Sequence, residues 1–448
     1  MKSRSRHRVE RYTIIADIRF ALTSKLLVVI LIISGAIRVL FQSVLLPNSP
    51  SVFGPDEGTY ALLAKHVSQG LPVEQFPVYG PGLYNSAKSI ALPSAFIVKL
   101  GLDELTAVRT VASAYGLTST LFLALSFIAY LRIRNQNIQD LSFSLDKKFI
   151  IMLTLFTFFP SNFIWSILGL RESGSQFWVI ATFYLILKLL NSTGRDLWKF
   201  TVLSAISLTI AYGARPQTAL VFSLVMLILS IAILLKFRKF VPIIAILIGT
   251  LAGQAFTTTP TTPTTPTTSP IINPLKTLQN INPLKTLQNQ ILTIQILESR
   301  RNANALGAQS ALPISTCQSS PNEIVNLIRC NISELPYRLF AFLFRPLIFF
   351  DQGSTTLIFA ALENLVWIIL VPISIWVSLR KKENTLSRFI SLTLTSFVLV
   401  FAFSAALYEG NLGTAFRHKS TILWPIIFIL MISPRVLPKF RSKSEPVA

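Results

Sequence analysis

The sequence predicts an all-α polytopic membrane protein with about ten transmembrane helices. Its 448 residues are 52% hydrophobic and only 13% charged, and the mean hydropathy is +0.58, whereas soluble domains carry about 25% charged residues. Apolar runs of about 17–25 residues, the length that a helix needs to cross a bilayer, recur along the chain. The runs are expected to be helices because lipid offers the backbone no other hydrogen-bond partners.

Basic residues set the predicted topology. A net charge of +22 is typical of nucleic-acid-binding proteins, but here the cations fall in short loops between apolar runs, as the positive-inside rule describes. We therefore expect the lipid bilayer as partner, no nucleic acid, and cytoplasmic tails at residues 1–24 and 436–448. The apolar run from Leu26 is longer than a signal-peptide core, so the first span is expected to stay uncleaved.

Seven spans are predicted in a transmembrane core at residues 25–256, and three more in a C-terminal part at 337–435. Every short basic loop then falls on one side of the membrane. In chain order the predicted spans are Lys25–Leu46, Arg109–Leu131, Phe149–Trp165, Ser175–Leu190, Phe200–Gly213, Thr218–Leu235, Phe240–Phe256, Thr355–Leu379, Phe389–Leu407 and Ser420–Ile432.

Two longer segments are predicted on the extracytoplasmic side. The first, residues 47–108, holds two amphipathic stretches, Glu57–Gln69 and Ser86–Leu100, which suit helices lying at the interface. The second, residues 257–336, holds a Thr/Pro tract and two copies of INPLKTLQN. Thr/Pro tracts favour extended, solvated chain, so we interpret this segment as an insertion outside any site. An interfacial stretch is expected next, at Tyr337–Phe350.

Both cysteines, Cys317 and Cys330, lie in the second of these segments. A pair of cysteines outside the cytoplasm is expected to oxidise to a disulfide. Two free thiols are the alternative.

A short set of ionisable residues remains on the predicted external side. The positive-inside rule gives no reason for arginines there, and ionisable groups at membrane ends are often functional. Guanidinium groups match phosphate oxygens, and carboxylates among them suit a general base. The set is Asp56, Glu57, Arg109, Arg171, Glu172, Arg215, Arg345, Glu409, Arg417 and His418.

Simpler interpretations remain open for these residues. The helix dipole favours acidic residues such as Asp56 and Glu57 in a first helical turn. A residue before proline, as Arg215 is, commonly marks a turn. Arginines at helix ends reach the headgroups, which would explain Arg109 and Arg417.

Four stretches resemble one enzyme family when taken in order. They are similar to the polyprenyl-phosphate-sugar-dependent glycosyltransferases of the GT-C type, in the branch of protein mannosyltransferases and lipid A aminoarabinose transferases. The resemblance covers residues 20–256 and 337–435, and it departs from the family at Gly80–Leu83, Glu172 and His418. The stretches are PDEGTYALLAKHVSQG, GPGLYNSAKSIALPSAFIVKLGLDELTAVRTVASAYG, FPSNFIWSILGLRES and GTAFRHKSTILWPIIFIL.

The resemblance implies roles for the external residues. Asp56 would deprotonate the acceptor hydroxyl in an inverting transfer, with Glu57 as the second choice for that role and Glu172 as a further acidic contact. Arginines would hold the departing lipid phosphate. The implied substrate-binding set is Arg109, Arg171, Arg215, Arg417 and His418. The resemblance identifies no certain cofactor, and the carboxylates leave the need for a divalent metal open.

Together these implications describe a glycosyltransferase of the plasma (inner) membrane with an extracytoplasmic active site. It would move a sugar from a polyprenyl-phosphate donor to a surface polysaccharide, glycolipid or protein. One alternative is an O-antigen-type polymerase or ligase, which has no reason for an Asp-Glu pair directly after the first span. The other is a transporter of lipid-linked oligosaccharides, which would need polar groups at mid-membrane depth, where the predicted spans carry almost no charge.

Deletion of Thr257–Gln290 is expected to leave transfer largely intact, because the Thr/Pro tract and the repeat are a compositional insertion. The measurement is the release of prenyl phosphate by the purified deletion variant and by the full chain. Complete loss of release in a variant that still inserts into membranes would contradict this expectation.

Overall fold

A computed structural model describes residues 13–46, 56–77, 80–134, 147–237, 240–257, 324–348, 351, 355–380 and 385–433. The Thr/Pro tract, the repeat and Cys317 lie outside these residues. Within them the chain is helical and has no β-strand. The helices are α1 (Ile14–Leu22), α2 (Lys25–Leu40), α3 (Asp56–Ser68), α4 (Gly80–Lys99), α5 (Glu104–Arg134), α6 (Lys147–Phe158), α7 (Pro160–Ile167), α8 (Arg171–Asn191), α9 (Gly194–Ala214), α10 (Pro216–Phe237), α11 (Val241–Thr257), α12 (Ile324–Phe344), α13 (Thr355–Leu379), α14 (Thr385–Tyr408) and α15 (Leu412–Ile432).

Long apolar helices make this an all-α polytopic membrane protein. In the described part of the chain, seven helices are long and apolar enough to cross a membrane, and the bent pair α6–α7 brings the number to eight if it is one span. Two further apolar helices are shorter, α10 over Pro216–Ile231 and α11. Each of the ten predicted spans coincides with one of these helices or with the bent pair.

The third predicted span, Phe149–Trp165, is broken rather than straight. The axis of α7 is bent by 48° away from that of α6. The bend arises because Pro160 lacks the N–H that would continue α6, and this proline begins α7 instead. Two polar contacts satisfy the backbone groups left open by the break. The Ser161 N–H donates to Glu363 Oε2 at 2.6 Å, and Asn162 Nδ2 donates to the Phe156 carbonyl at 2.8 Å.

Helix α12 begins earlier than the predicted interfacial stretch at Tyr337–Phe350. It starts at Ile324, within the segment predicted as an external loop, and it continues through Pro336. Arg338 ties the turns before that proline together, since its guanidinium donates to Glu334 Oε2 at 3.0 Å and to Asn331 Oδ1 at 2.9 Å. Cys330 lies on this helix and is disulfide-bonded.

Helix α8 forms the centre of the bundle, where it is mostly buried and packs against α5, α9 and α15. Helix α9 in turn packs closely along α11. A Cβ atom at Gly249 of α11 would lie only 3.0 Å from the Ala205 carbonyl and from Leu208 Cβ. Small residues permit such close approach between helices in membranes.

A buried carboxylate fixes α1 to the bundle at the end that we call the α1 end. The Asp17 side chain is fully buried and accepts from Tyr184 Oη at 2.6 Å and from Lys188 Nζ at 2.8 Å. Arg132, near the end of α5, also pairs with Asp17. A charge at such depth is costly unless it is paired, so these contacts hold α1, α5 and α8 together.

We expect Asp17→Asn to destabilise the protein, because it leaves the buried Lys188 and the largely buried Arg132 without their carboxylate. Breaking a buried ion pair by removing one partner costs about 3–5 kcal/mol. Thermal unfolding in detergent measures the effect, with Glu74→Gln as the control because Glu74 is an exposed carboxylate. Equal melting temperatures for the two variants would contradict the structural role of Asp17.

Candidate active site

The end of the bundle opposite Asp17 gathers acids and arginines from separate parts of the chain. We call it the α3 end, and it comprises α3, α4, the first turns of α5, α8 and α15, and the junction of α9 with α10. Helices α3, α4 and α5 pack there through an apolar cluster that includes Leu63, Ile90 and Val108. This cluster is separate from the main core and supports the charged groups above it.

Glu57 is held in a closed ion pair. Its carboxylate accepts from Arg109 Nε at 2.6 Å and from Arg109 Nη2 at 3.1 Å. The two side chains are 0% and 5% exposed. Gln42, in the turn that follows α2, supports the pair, since its Nε2 donates to the Arg109 carbonyl at 2.9 Å. The Arg109 side chain on α5 is therefore buried against Glu57 of α3 and does not extend to the lipid headgroups.

Glu172 joins two arginines at one oxygen. Its Oε1 accepts from Arg215 Nη1 at 3.0 Å and lies 3.1 Å from Arg417 Nε. The Glu172 and Arg215 side chains are 2% and 5% exposed. Burial lowers the pKa of the Arg215 guanidinium and Glu172 opposes that shift, and arginine remains a cation in proteins.

Local backbone geometry brings these residues to one place. Arg215 follows the last residue of α9 and has the extended conformation that a following proline favours, so the two helices diverge around it. Gly169, at φ +66°, makes the turn between α7 and α8. A Cβ there would lie 2.9 Å from Val108 of α5, so glycine lets the start of α8 approach α5.

Asp56 lies at the open side of the same network. Arg417 Nη1 donates to Asp56 Oδ2 at 2.7 Å, although the two residues are 361 positions apart. The Asp56 side chain is 47% exposed and the Arg417 side chain is 13% exposed. Asp56 is thus the one carboxylate of this network that faces solvent to a large extent, among the residues described.

His418 extends the network to the beginning of α15. Arg215 Nη2 donates to His418 Nε2, and His418 Nδ1 contacts Glu409. Because a guanidinium only donates, Nε2 must be the accepting nitrogen, which places the ring proton on Nδ1 toward the carboxylate. The Thr414 hydroxyl donates to the other Glu409 oxygen at 2.7 Å. Both His418 nitrogens therefore contact the protein.

Tyr60 is a member of the site that sequence reasoning did not select. It is 2% exposed, and burial raises the pKa of its hydroxyl, on which the charges of Arg171, Glu172, Arg417 and Asp56 also act. Its spacing from Asp56 could have identified it, because residues i and i+4 lie on the same face of a helix.

Within the described ranges, two buried atoms of the charged side chains at the site have neither a hydrogen bond nor an ion-pair contact. They are Glu172 Oε2 and Arg171 Nε. Arg171 otherwise donates to the Ser86 hydroxyl of α4 at 2.7 Å. Since buried polar groups are nearly always satisfied, such atoms indicate where a ligand would supply partners.

Arg345 stands apart from this site. Its Nε donates to Asp351 Oδ2 at 3.0 Å and its Nη1 donates to Tyr337 Oη at 2.8 Å. Burial alone would raise the pKa of Asp351, but the hydrogen bond from Arg345 holds that pKa below its usual range. These contacts order the connection between α12 and α13.

The expectation that the predicted spans carry almost no charge was wrong, because buried charged side chains lie on several of these helices. Arg38 of α2 is 1% exposed and donates through Nε to the Ser166 hydroxyl at 3.1 Å. Lys419 of α15 donates to Asn364 Oδ1 at 2.6 Å, and Glu363 of α13 accepts from Trp367 at 2.8 Å. All three have protein partners, which indicates a structural role in fixing helices to one another.

Nothing among the described residues forms a metal centre, since no three His, Cys, Asp or Glu side chains gather as ligands there. No family model, no curated protein and no solved structure matches the chain. The geometry of the site is therefore the basis for interpreting it.

The two adjacent acids are expected to differ sharply in their effect on stability. Glu57→Gln breaks a buried pair and should cost about 3–5 kcal/mol, whereas Asp56→Asn loosens a partly exposed pair and should cost less than about 1 kcal/mol. Thermal unfolding of both variants in the same detergent tests this. A larger loss for Asp56→Asn than for Glu57→Gln would contradict the assignment of Glu57 as structural.

Proposed function

We propose that this chain is an inverting membrane glycosyltransferase that moves a sugar from a polyprenyl-phosphate donor to an extracytoplasmic acceptor. In this proposal the chain crosses the plasma (inner) membrane ten times, with α10 and α11 as two of the crossings. Both termini are then cytoplasmic, and the α3 end faces outward. The acceptor class is a surface polysaccharide, a glycolipid or a protein.

One observation carries the proposal, namely the network of ionic contacts that connects Asp56, Glu172, Arg215 and Arg417. These residues come from four separate parts of the chain, yet adjacent members lie within 2.7–3.1 Å of one another. An isolated helix-dipole or headgroup role for each residue would not require them to meet. A mixed cluster of carboxylates and guanidinium groups suits a reaction that handles a proton and a phosphate together.

Each group has a role in the proposed reaction. The Asp56 carboxylate takes the proton from the acceptor hydroxyl as that hydroxyl attacks the anomeric carbon, and the bond from this carbon to the phosphate oxygen breaks. Arg417 and Arg215 stabilise the negative charge that grows on the departing prenyl phosphate. Arg171, with its unpartnered Nε, is a further donor to that phosphate.

His418 serves as a positioning residue in this scheme. Because both of its ring nitrogens contact protein groups, it holds the Arg215 guanidinium in place and Glu409 holds the ring. Glu57 and Arg109 likewise support the start of α3 from within the bundle. The proposal thus divides the predicted site residues into those that reach substrate and those that orient them.

Incubation of the purified protein with a panel of polyprenyl-phosphate sugars tests the proposal directly. Release of prenyl phosphate together with a glycosylated acceptor supports it. Movement of an intact lipid-linked sugar across a vesicle membrane without release would favour a transporter instead. Transfer from a prenyl diphosphate-linked oligosaccharide, but from no monophosphate donor, would favour a polymerase or ligase.

Asp56→Asn is expected to abolish transfer while the protein still inserts and folds. General-base catalysis contributes about 10²–10⁴-fold, so the rate of prenyl phosphate release should fall by at least about 100-fold. Glu104→Gln is the matched control, since Glu104 is also a partly exposed carboxylate paired with a cation, Lys65. Turnover at the wild-type rate by Asp56→Asn would show that another group is the base.

A further inference from the structure

We infer that Asp56 occupies, on Arg417, the position that the donor phosphate takes, so that the phosphate and Asp56 compete for one guanidinium. This inference rests on the proposed function and adds the order in which donor binding and acceptor activation occur. Donor binding displaces the Asp56 carboxylate from Arg417, and the displaced carboxylate is then available to the acceptor hydroxyl. The ligand class is a phosphate ester with a single lipid chain.

Exposure distinguishes the Asp56 pair from the other ion pairs of the site. The carboxylates of Glu57, Glu172 and Glu409 are 0%, 2% and 4% exposed, so none of them can leave its arginine or histidine partner without remaining buried and unpaired. Removing one partner of a buried pair is strongly unfavourable. Asp56 is 47% exposed, and its carboxylate can turn into water when another anion takes its place.

Charge balance points to the same exchange. The network contains three carboxylates and three guanidinium groups that influence one another electrostatically, namely Asp56, Glu172, Glu409, Arg171, Arg215 and Arg417. The formal charges of these six groups cancel. A phosphate added to them would leave an excess of buried negative charge, which is costly. Release of Asp56 toward solvent compensates for the added charge without disturbing the buried pairs.

Hydrogen-bond geometry favours phosphate over Asp56 on this arginine. The Nε of Arg417 is directed to Glu172, which fixes the orientation of the guanidinium plane. Asp56 accepts one hydrogen bond, from Nη1 at 2.7 Å. Phosphates and carboxylates both commonly take two parallel donors from a guanidinium, whereas Asp56 takes only one here, so a phosphate that takes two would bind more strongly. The side of Arg417 away from Glu172 is thus a preoriented anion position that a carboxylate fills through a single bond.

The test is a binding measurement rather than an activity measurement. A short-chain prenyl monophosphate is titrated into the full-length protein in detergent by calorimetry. We expect Asp56→Asn to bind this probe about two- to fivefold more tightly than the wild type, because a competing, partly exposed ion pair has been removed. The same variant is expected to have lost transfer, so tighter binding accompanies lower activity.

Glu104→Gln is the matched control for general electrostatics, because it removes one negative charge from another ion pair at the α3 end. We expect it to leave affinity for the probe unchanged. Equal tightening in Glu104→Gln and Asp56→Asn would overturn the inference, because the gain would then come from net charge alone. The gain in Asp56→Asn must also disappear when Arg417→Gln is added, since the competition requires that guanidinium.

The outcomes separate the inference from the proposed function. If the wild type binds the probe and releases prenyl phosphate, but Asp56→Asn binds no more tightly, the competition is wrong and the transferase stands. If neither protein binds the probe, both fail. Vesicles containing phosphatidylglycerol serve as a second probe. If Asp56→Asn binds more tightly than the wild type to these vesicles but not to the prenyl monophosphate, the assignment to a prenyl phosphate is wrong.

Discussion

One carboxylate oxygen, Glu172 Oε1, determines how the α3 end is assembled. Two guanidinium groups converge on it, from the α9–α10 junction and from α15, while Glu172 itself belongs to the first turn of α8. None of these charges can be buried alone, because an unpaired charge in the interior is far more costly than a paired one. The positions of three helix ends are therefore interdependent, and a shift of any one of them would break at least one buried ion pair.

The pair Asp56 and Glu57 shows how helix geometry divides neighbouring residues between two tasks. Successive residues on a helix point about 100° apart. Glu57 therefore faces α5, where Arg109 closes on it from within the bundle, while Asp56 faces α15 and the solvent. The same two carboxylates in sequence become one structural group and one accessible group. Their roles follow from the orientation of α3 and not from residue type.

Local sequence features were sufficient to predict most of the architecture. Apolar length is a local property, so all ten predicted spans fall on helices or on the bent pair α6–α7. Boundaries governed by distant contacts were less predictable. The break at Pro160, for example, is completed by Glu363 of another helix.

Partner identity at the site could not be predicted from the sequence. The set of external charges was visible as a departure from the positive-inside rule, but nothing local indicates that Arg417 meets Asp56 across 361 residues, or that Arg345 turns instead to Asp351. The structural roles of the buried Arg38, Glu363 and Lys419 were missed because each side chain has a partner that is distant in the sequence.

Helix α8 connects the two ends of the molecule and limits where movement can occur. Glu172 pairs with two arginines in its first turn, while Lys188 and Tyr184 bind Asp17 near its last turn. Its 21 residues span about 30 Å, the thickness of the hydrocarbon core. With a buried carboxylate joined to two cations at either end, α8 can neither slide nor tilt without breaking ion pairs. Structural adjustment to a ligand therefore costs the least free energy at the edge of the network, where Asp56 contacts Arg417.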